Sequence, residues 1–149
     1  MALRITTKGR YGIRAICYLA KSKEETPLTI QSIAEQENIP IRYLEQIMVR
    51  LRRAGILESV RGPGGGYSLN KPPDQLSIGR LLRTLEGEFS VVWCANEKER
   101  VSCQFAEECL TKPLWTAVTN IIAEILDRIT LQDLIDDKIR DMDLKALLD

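Results

Sequence analysis

Between Thr29 and Leu69 the chain runs through two amphipathic helical stretches and a glycine-punctuated hairpin, and few folds accommodate that order. Residues 30–37 put Ile30, Ile33 and Ala34 at helical spacing, and Thr29 precedes them as a capping hydroxyl. Glu37-Asn38-Ile39-Pro40 breaks the pattern, because asparagine tolerates a turn and proline disfavours helix at the residue before it. A second helix is expected over about residues 40–54. Tyr43, Leu44, Ile47, Met48 and Leu51 line its apolar side, Arg42, Glu45, Gln46, Arg50 and Arg53 its other face, and Gly55 closes it. Residues 56–60 read as a strand, Arg61-Gly62-Pro63-Gly64-Gly65-Gly66 as a turn, and residues 67–69 as a returning strand. Two short helices joined by a tight turn are the plan of a helix-turn-helix, and a hairpin directly after the second helix is a wing. The expected fold class is mainly α with a small β-hairpin wing, a winged helix-turn-helix carrying a further long helix. A phosphate-cradling role for the glycine run would need a helix after the loop, and strand residues follow instead. The glycines read better as backbone able to approach a groove, with Arg61 available to enter it.

Charge points the same way. The chain of 149 residues has zero net charge. Residues 1–83 nevertheless carry 14 Lys/Arg against 7 Asp/Glu, or +7, and residues 84–149 carry the reverse, or −7. A basic half suits a polyanion and an acidic half is repelled by one.

The remaining elements frame this unit. Residues 7–21 form a helical stretch with Ile13, Ile16, Cys17 and Ala20 on one stripe, which makes Cys17 a structural, buried residue. Ser77 caps a helix over about 78–86, and 88–111 is a long irregular stretch. A long helix is expected over 113–129, its stripe of Leu114, Val118, Ile121, Ile122, Ile125 and Ile129 close to heptad spacing and suited to a partner helix in a homodimer. Thr130 and Asp133 resemble a capping box for a short helix, and the acidic tail from Asp136 is expected to be partly frayed. The division that follows is 1–87 as DNA-binding domain, 88–111 as cysteine-bearing loop, and 112–149 as dimerisation helix and C-terminal segment. No apolar run suffices for a membrane span and the N-terminus opens no secretory signal, so the reading is a cytoplasmic protein with no membrane partner. In that compartment the four cysteines are thiols or metal ligands before they are disulfides.

Three of them cluster as Cys94-x8-Cys103-x5-Cys109. This is not the paired spacing of zinc ribbons, but three soft thiolates within sixteen residues suit an iron–sulfur cluster or zinc. Cys109 lies just before the long helix, where the helix dipole and Lys112 favour thiolate.

Two segments together resemble a known family. The first comprises Thr7-Lys8-Gly9-Arg10-Tyr11-Gly12, Tyr43-Leu44-Glu45-Gln46 and Arg61-Gly62-Pro63-Gly64-Gly65-Gly66-Tyr67. The second is Cys109-Leu110-Thr111-Lys112-Pro113-Leu114-Trp115. They are similar to the winged-helix regulators that include IscR, NsrR and CymR, and most similar to IscR-like members, up to about residue 135. The resemblance implies a transcription regulator, mainly a repressor, that binds a palindromic double-stranded DNA operator as a homodimer. It implies recognition helices in successive major grooves and wings at the flanking minor grooves. Tyr43, Glu45, Gln46, Arg50, Arg61, Gly64 and Gly65 form the candidate DNA-binding set. Glu45 and Gln46 match base-reading positions and Arg61 the minor-groove arginine, as their chemistry allows. Arg50, Arg52 and Arg53 suit phosphate or solvent.

The resemblance also implies a cluster held by Cys94, Cys103 and Cys109, with 2Fe–2S expected ahead of 4Fe–4S and with iron, redox or nitric oxide as signal. The fourth ligand departs from the family pattern. IscR-like members carry a histidine where this chain has Lys112, and the chain has no histidine. NsrR-like members use an aspartate where Arg10 stands. Glu97, Glu99, Glu107, Glu108, a lysine or an exogenous molecule are the alternatives, and the first cysteine interval suggests an insertion around residues 96–100. CymR-like members lack these cysteines and act through a bound partner protein. A cluster-free repressor controlled by thiol redox, zinc or a partner protein is therefore the alternative reading. An enzyme is not expected, since no nucleophile–base pair or nucleotide loop is identifiable.

Overall fold

The computed structural model describes residues 5–25, 27–96 and 103–149. Helix α1 (Thr7–Lys21) is the central post. Thr6 caps it by accepting from the Gly9 N–H, and it buries Ala15, Ile16, Leu19 and Ala20, with Cys17 only partly covered. Helices α2 (Ile30–Glu37) and α3 (Ile41–Arg53) pack across it and on each other. The connection between them works as the residues suggest: Asn38 is left-handed at φ 50°, and the Ile39 N–H returns to the Ala34 carbonyl at 2.9 Å. Leu44, Ile47, Met48 and Leu51 of α3 are fully buried, so its 3–4 apolar spacing becomes one face of the core.

Strands β1 (Leu57–Val60) and β2 (Gly66–Leu69) form the antiparallel wing, with Leu57 opposite Leu69 and Val60 opposite Gly66. The hairpin is tied at both ends. At its base Asn70 N–H donates to the Ile56 carbonyl, and toward its tip Leu28 and Tyr67 exchange backbone hydrogen bonds of 2.9 and 2.7 Å.

Helix α4 (Ile78–Glu86), capped by Ser77, packs on α1, where Leu85 sits in the gap left by Gly12. Helix α5 (Lys112–Arg128) lies along α4, clasped by an Arg83–Asp127 fork of 3.1 and 2.5 Å beside Gly79. Main-chain bonds of 2.8 Å from Ile78 N–H to the Ile129 carbonyl and from Leu131 N–H to the Leu76 carbonyl stitch the end of α5 to the start of α4. Helix α6 (Leu131–Ile135) follows, with the Thr130–Asp133 capping box in place.

Two expectations change. The stripe on α5 is divided rather than committed to a partner. Ile125 and Ile129 pack on the chain's own core, while Leu114 and Ile121 stay 53% and 45% exposed. The acidic tail does not fray: single helical turns at Lys138–Arg140 and Ala146–Leu148 bring Ile139, Met142 and Leu147 onto the core. Asp136 and Asp137 are meanwhile paired with Lys138 and Arg140. Among the described residues no helix is long and apolar enough to cross a membrane.

Candidate nucleic-acid interface and cysteine loop

Helix α3 is held from behind by its buried side, which leaves Arg42, Glu45, Gln46, Val49, Arg50 and Arg53 lining one shallow depression on its outer side. Glu45, Gln46, Arg50 and Arg53 make no side-chain hydrogen bond or ion pair among the described residues, so their donors and acceptors are free for an outside ligand. Tyr43 stands apart from that group. It turns toward α1 and meets Tyr11 edge-on, ring centroids 5.6 Å apart at 90°. Arg52 is engaged as well, reaching across to the wing to donate to Ser59 Oγ at 3.3 Å.

Arg61 is exposed at the wing turn. The glycines after it have demands of their own. Gly62 and Gly64 are left-handed at φ 90° and 73°, a Cβ on Gly65 would meet the Val60 carbonyl, and one on Gly66 would meet the Leu28 carbonyl. Close approach at Gly65 and Gly66 is therefore to the protein's own backbone. A contact the sequence did not signal joins α1 to the helix-turn-helix: Arg14 Nε donates to Glu37 Oε2 at 3.1 Å, and Nη2 to the Glu37 carbonyl at 2.5 Å.

The cysteines sit on separate supports. Cys94 lies in a helical turn (Trp93–Ala95) packed along α5, and the Val91 N–H nearby donates to buried Thr119 Oγ1 at 3.1 Å. Cys103 opens a run of turns in which the Ala106 N–H returns to its carbonyl at 3.0 Å. Cys109 precedes α5, its Sγ 3.4 Å from Thr111 Oγ1. Hydrogen bonds from the Thr111 hydroxyl, then from the Thr111 and Lys112 N–H groups, hold this thiol below its ordinary pKa, with the Lys112 charge adding least. Cys17 is pushed the other way, up to about 11, by burial and then by Glu37.

Among the described residues no three Cys, Asp or Glu side chains converge as a metal site. The donor set itself, three thiols of which one favours thiolate, fits a soft metal centre. Glu107 and Glu108 are exposed between Cys103 and Cys109, and Lys112 is the first residue of α5. Glu97, Glu99 and, apart from Asn96, the expected insertion fall outside the described residues. Around the loop Phe105 and Leu110 are 64% and 94% exposed.

A family model described as Rrf2, iron-dependent transcriptional regulator, matches residues 5–137. The chain is similar to the HTH-type transcriptional regulator IscR of Pectobacterium atrosepticum, 37% identical over 136 residues that cover 91% of this chain and 81% of that protein. Among solved structures it is similar to T. potens IscR, with a TM-score of 0.73 and 37% identity over 93% of this chain and 90% of that one. It is equally similar to CymR, the global cysteine regulator of B. subtilis, with a TM-score of 0.73 and 38% identity over 91% and 98%.

Proposed function

This chain belongs to the Rrf2 family of transcriptional regulators, which are not enzymes, and from that premise we propose that it is a cytoplasmic, homodimeric repressor gated by an iron–sulfur cluster. The family membership means DNA binding. The finer reading places Glu45, Gln46 and Arg50 of α3 in a major groove and Arg61 with Gly64 and Gly65 at the minor groove of a palindromic operator. The observation that carries it is the outer side of α3, where these polar groups lack internal partners. Glutamine pairs bidentately with adenine and glutamate accepts from cytosine N4. Tyr43, half-buried against Tyr11 at the start of α3, belongs to the same DNA-binding set. In this reading residues 1–87 bind DNA, 88–111 sense, and 112–149 join the copies.

Cys94, Cys103 and Cys109 would hold the cluster, 2Fe–2S ahead of 4Fe–4S. A bound cluster supplies a centre sensitive to iron supply, oxidants and nitric oxide. The protein's part is to keep thiolates available, which Thr111 does for Cys109, and to fasten the loop to α5 through Val91 and Thr119. A loop drawn onto α5 shifts the separation of the two α3 helices in a dimer. The fourth corner falls to Glu107, Glu108, Glu97, Glu99, Lys112 or an exogenous molecule. A lightly held corner suits a centre that is gained and lost.

The even similarity to CymR and the dispersed thiols favour a second reading, a cluster-free repressor governed by thiol redox, zinc or a bound protein. Iron and acid-labile sulfide per monomer after anaerobic purification separate the two. About two of each, with broad visible absorption, are expected for a 2Fe–2S centre and about four for 4Fe–4S. Neither, even after reconstitution, would overturn the cluster and leave the second reading.

A further inference from the structure

The first turn of α3 is only partly held by the core. Pro40 precedes it and makes no side-chain capping bond, Ile41 and Arg42 are exposed, and full burial begins only at Leu44. Yet in a helix-turn-helix the N-terminal residues of the second helix meet the base edges, and Glu45 and Gln46 stand there. Something must fix the direction in which this turn points.

Arg14 is placed to do so from both sides of the connection. Its Nη2 donates to the main-chain carbonyl of Glu37, a helix-end acceptor, while Nε binds the Glu37 carboxylate. Glu37 is the last residue of α2, directly before the left-handed Asn38. On its other side the guanidinium carbon lies 5.9 Å from the Tyr11 ring centroid, and Tyr11 in turn meets Tyr43 edge-on in the first turn of α3. A single cation thus touches the end of α2 directly and the start of α3 through one aromatic pair. A planar fork with several fixed donors, stacking on a ring while it binds a carbonyl and a carboxylate, is arginine chemistry that lysine does not reproduce.

We propose that Arg14 is a positioning residue for sequence recognition: it clamps the turn between α2 and α3 and backs the Tyr11–Tyr43 pair, so that Glu45 and Gln46 meet the bases at a fixed angle. It acts through Glu37 and Tyr11 and does not contact DNA. The role rests on the reading that the outer side of α3 reads sequence.

The test uses an operator duplex enriched from a random library by the wild-type protein, with a shuffled duplex of equal length. Affinity for both is measured by fluorescence anisotropy over a salt series for wild type, Arg14→Ala, Arg14→Lys and Glu37→Gln, with circular dichroism and thermal melting to show that each is folded. Arg14→Ala is expected to lower operator affinity about tenfold, the scale on which a bidentate base contact discriminates, while affinity for the shuffled duplex barely changes. The salt slope on the operator stays as in wild type. Glu37→Gln removes a negative charge, which by electrostatics alone favours DNA, yet it is expected to lower the operator-to-shuffled ratio in the same direction as Arg14→Ala but less, because the main-chain carbonyl of residue 37 still binds Arg14. Arg14→Lys leaves the ratio low.

A joint fall on both duplexes with a salt slope smaller by about 1.8, one lost phosphate in each half-site, would make Arg14 a direct phosphate contact and overturn the role. So would Glu37→Gln tightening both duplexes with the ratio intact, or full recovery by lysine. Glu37→Gln and Arg14→Lys decide the matter even if Arg14→Ala fails to fold. A wild type that enriches no duplex overturns the DNA reading itself, and this role with it.

Discussion

Cys17 and Cys109 carry the same thiol, and their surroundings push it in opposite directions. Partial burial of Cys17 against the core, with Glu37 adding to it, favours the neutral form and raises its pKa to about 11. At pH 8 about one part in a thousand of such a thiol is ionised, against about a quarter for a free cysteine of pKa near 8.5. Cys109 accepts hydrogen bonds that favour the anion, so its ionised fraction exceeds that of an ordinary cysteine, including at neutral pH. The thiolate is the nucleophile. In reduced, metal-free protein at neutral pH, iodoacetamide should therefore label Cys109 well before Cys17, as read by peptide mass spectrometry. Thr111→Val should slow Cys109 and leave Cys17 unchanged; equal labelling of the two cysteines in the native protein would defeat the assignment. The position of Cys17 was legible from its place on an apolar stripe. The thiolate character of Cys109 was legible too, but for a partly different reason. Chain order announces the helix start and Lys112, whereas the Thr111 hydroxyl, the largest contributor, depends on a rotamer that no spacing encodes.

At the scale of elements, the wing shows how one glycine run serves several needs. Gly64 is left-handed with open space where a Cβ would go, so alanine there meets only backbone strain, about 1 kcal/mol. Gly66 is different: a Cβ would run into the Leu28 carbonyl, which is the acceptor for the Tyr67 N–H. Backbone on both sides leaves nothing flexible to move aside. Gly66→Ala should part β2 from Leu28 and cost roughly 1–3 kcal/mol in urea unfolding. It should cost more than Gly64→Ala, and a ranking the other way round would show that the Leu28 bridge does not hold the wing. The run of glycines and the hairpin it turns were legible in the sequence, because turn chemistry is local. Which glycine answers to a neighbour 38 residues away was not, since Leu28 lies before α2 and carries no pairing pattern of its own. The same limit hid the Arg14–Glu37 contact, which joins residues 23 apart on helices whose crossing is set by the core.

Over the whole molecule, periodic segments were legible and isolated apolar residues were not. Ile139 and Met142 continue the helical spacing of Ile135, but densely charged residues surround them and Leu147, so only the folded chain shows them covering the core. The division of the α5 stripe has a similar origin. Heptad-like spacing marks residues that want burial but not against what, and the stitched junction at Ile129 claims Ile125 and Ile129 for the chain's own core. Leu114 and Ile121 remain outward, two helical turns apart on a 17-residue helix. A homodimer through α5 would cover them. Because Ile121 is 45% exposed in the single chain, replacing it should spare the fold of that chain and act on the partner interface alone. Ile121→Asp would bury an unpaired carboxylate at the seam between two copies, at a cost of several kcal/mol. The expected outcome by size exclusion with light scattering is a shift from twice the 16.9 kDa chain mass to the single mass, with an unchanged far-ultraviolet spectrum. Affinity for a palindromic duplex should fall steeply with it, because two linked half-site contacts become independent ones. A variant that keeps the dimer mass would show that the copies meet elsewhere. A wild type already of single mass would remove the symmetry that a palindromic operator requires.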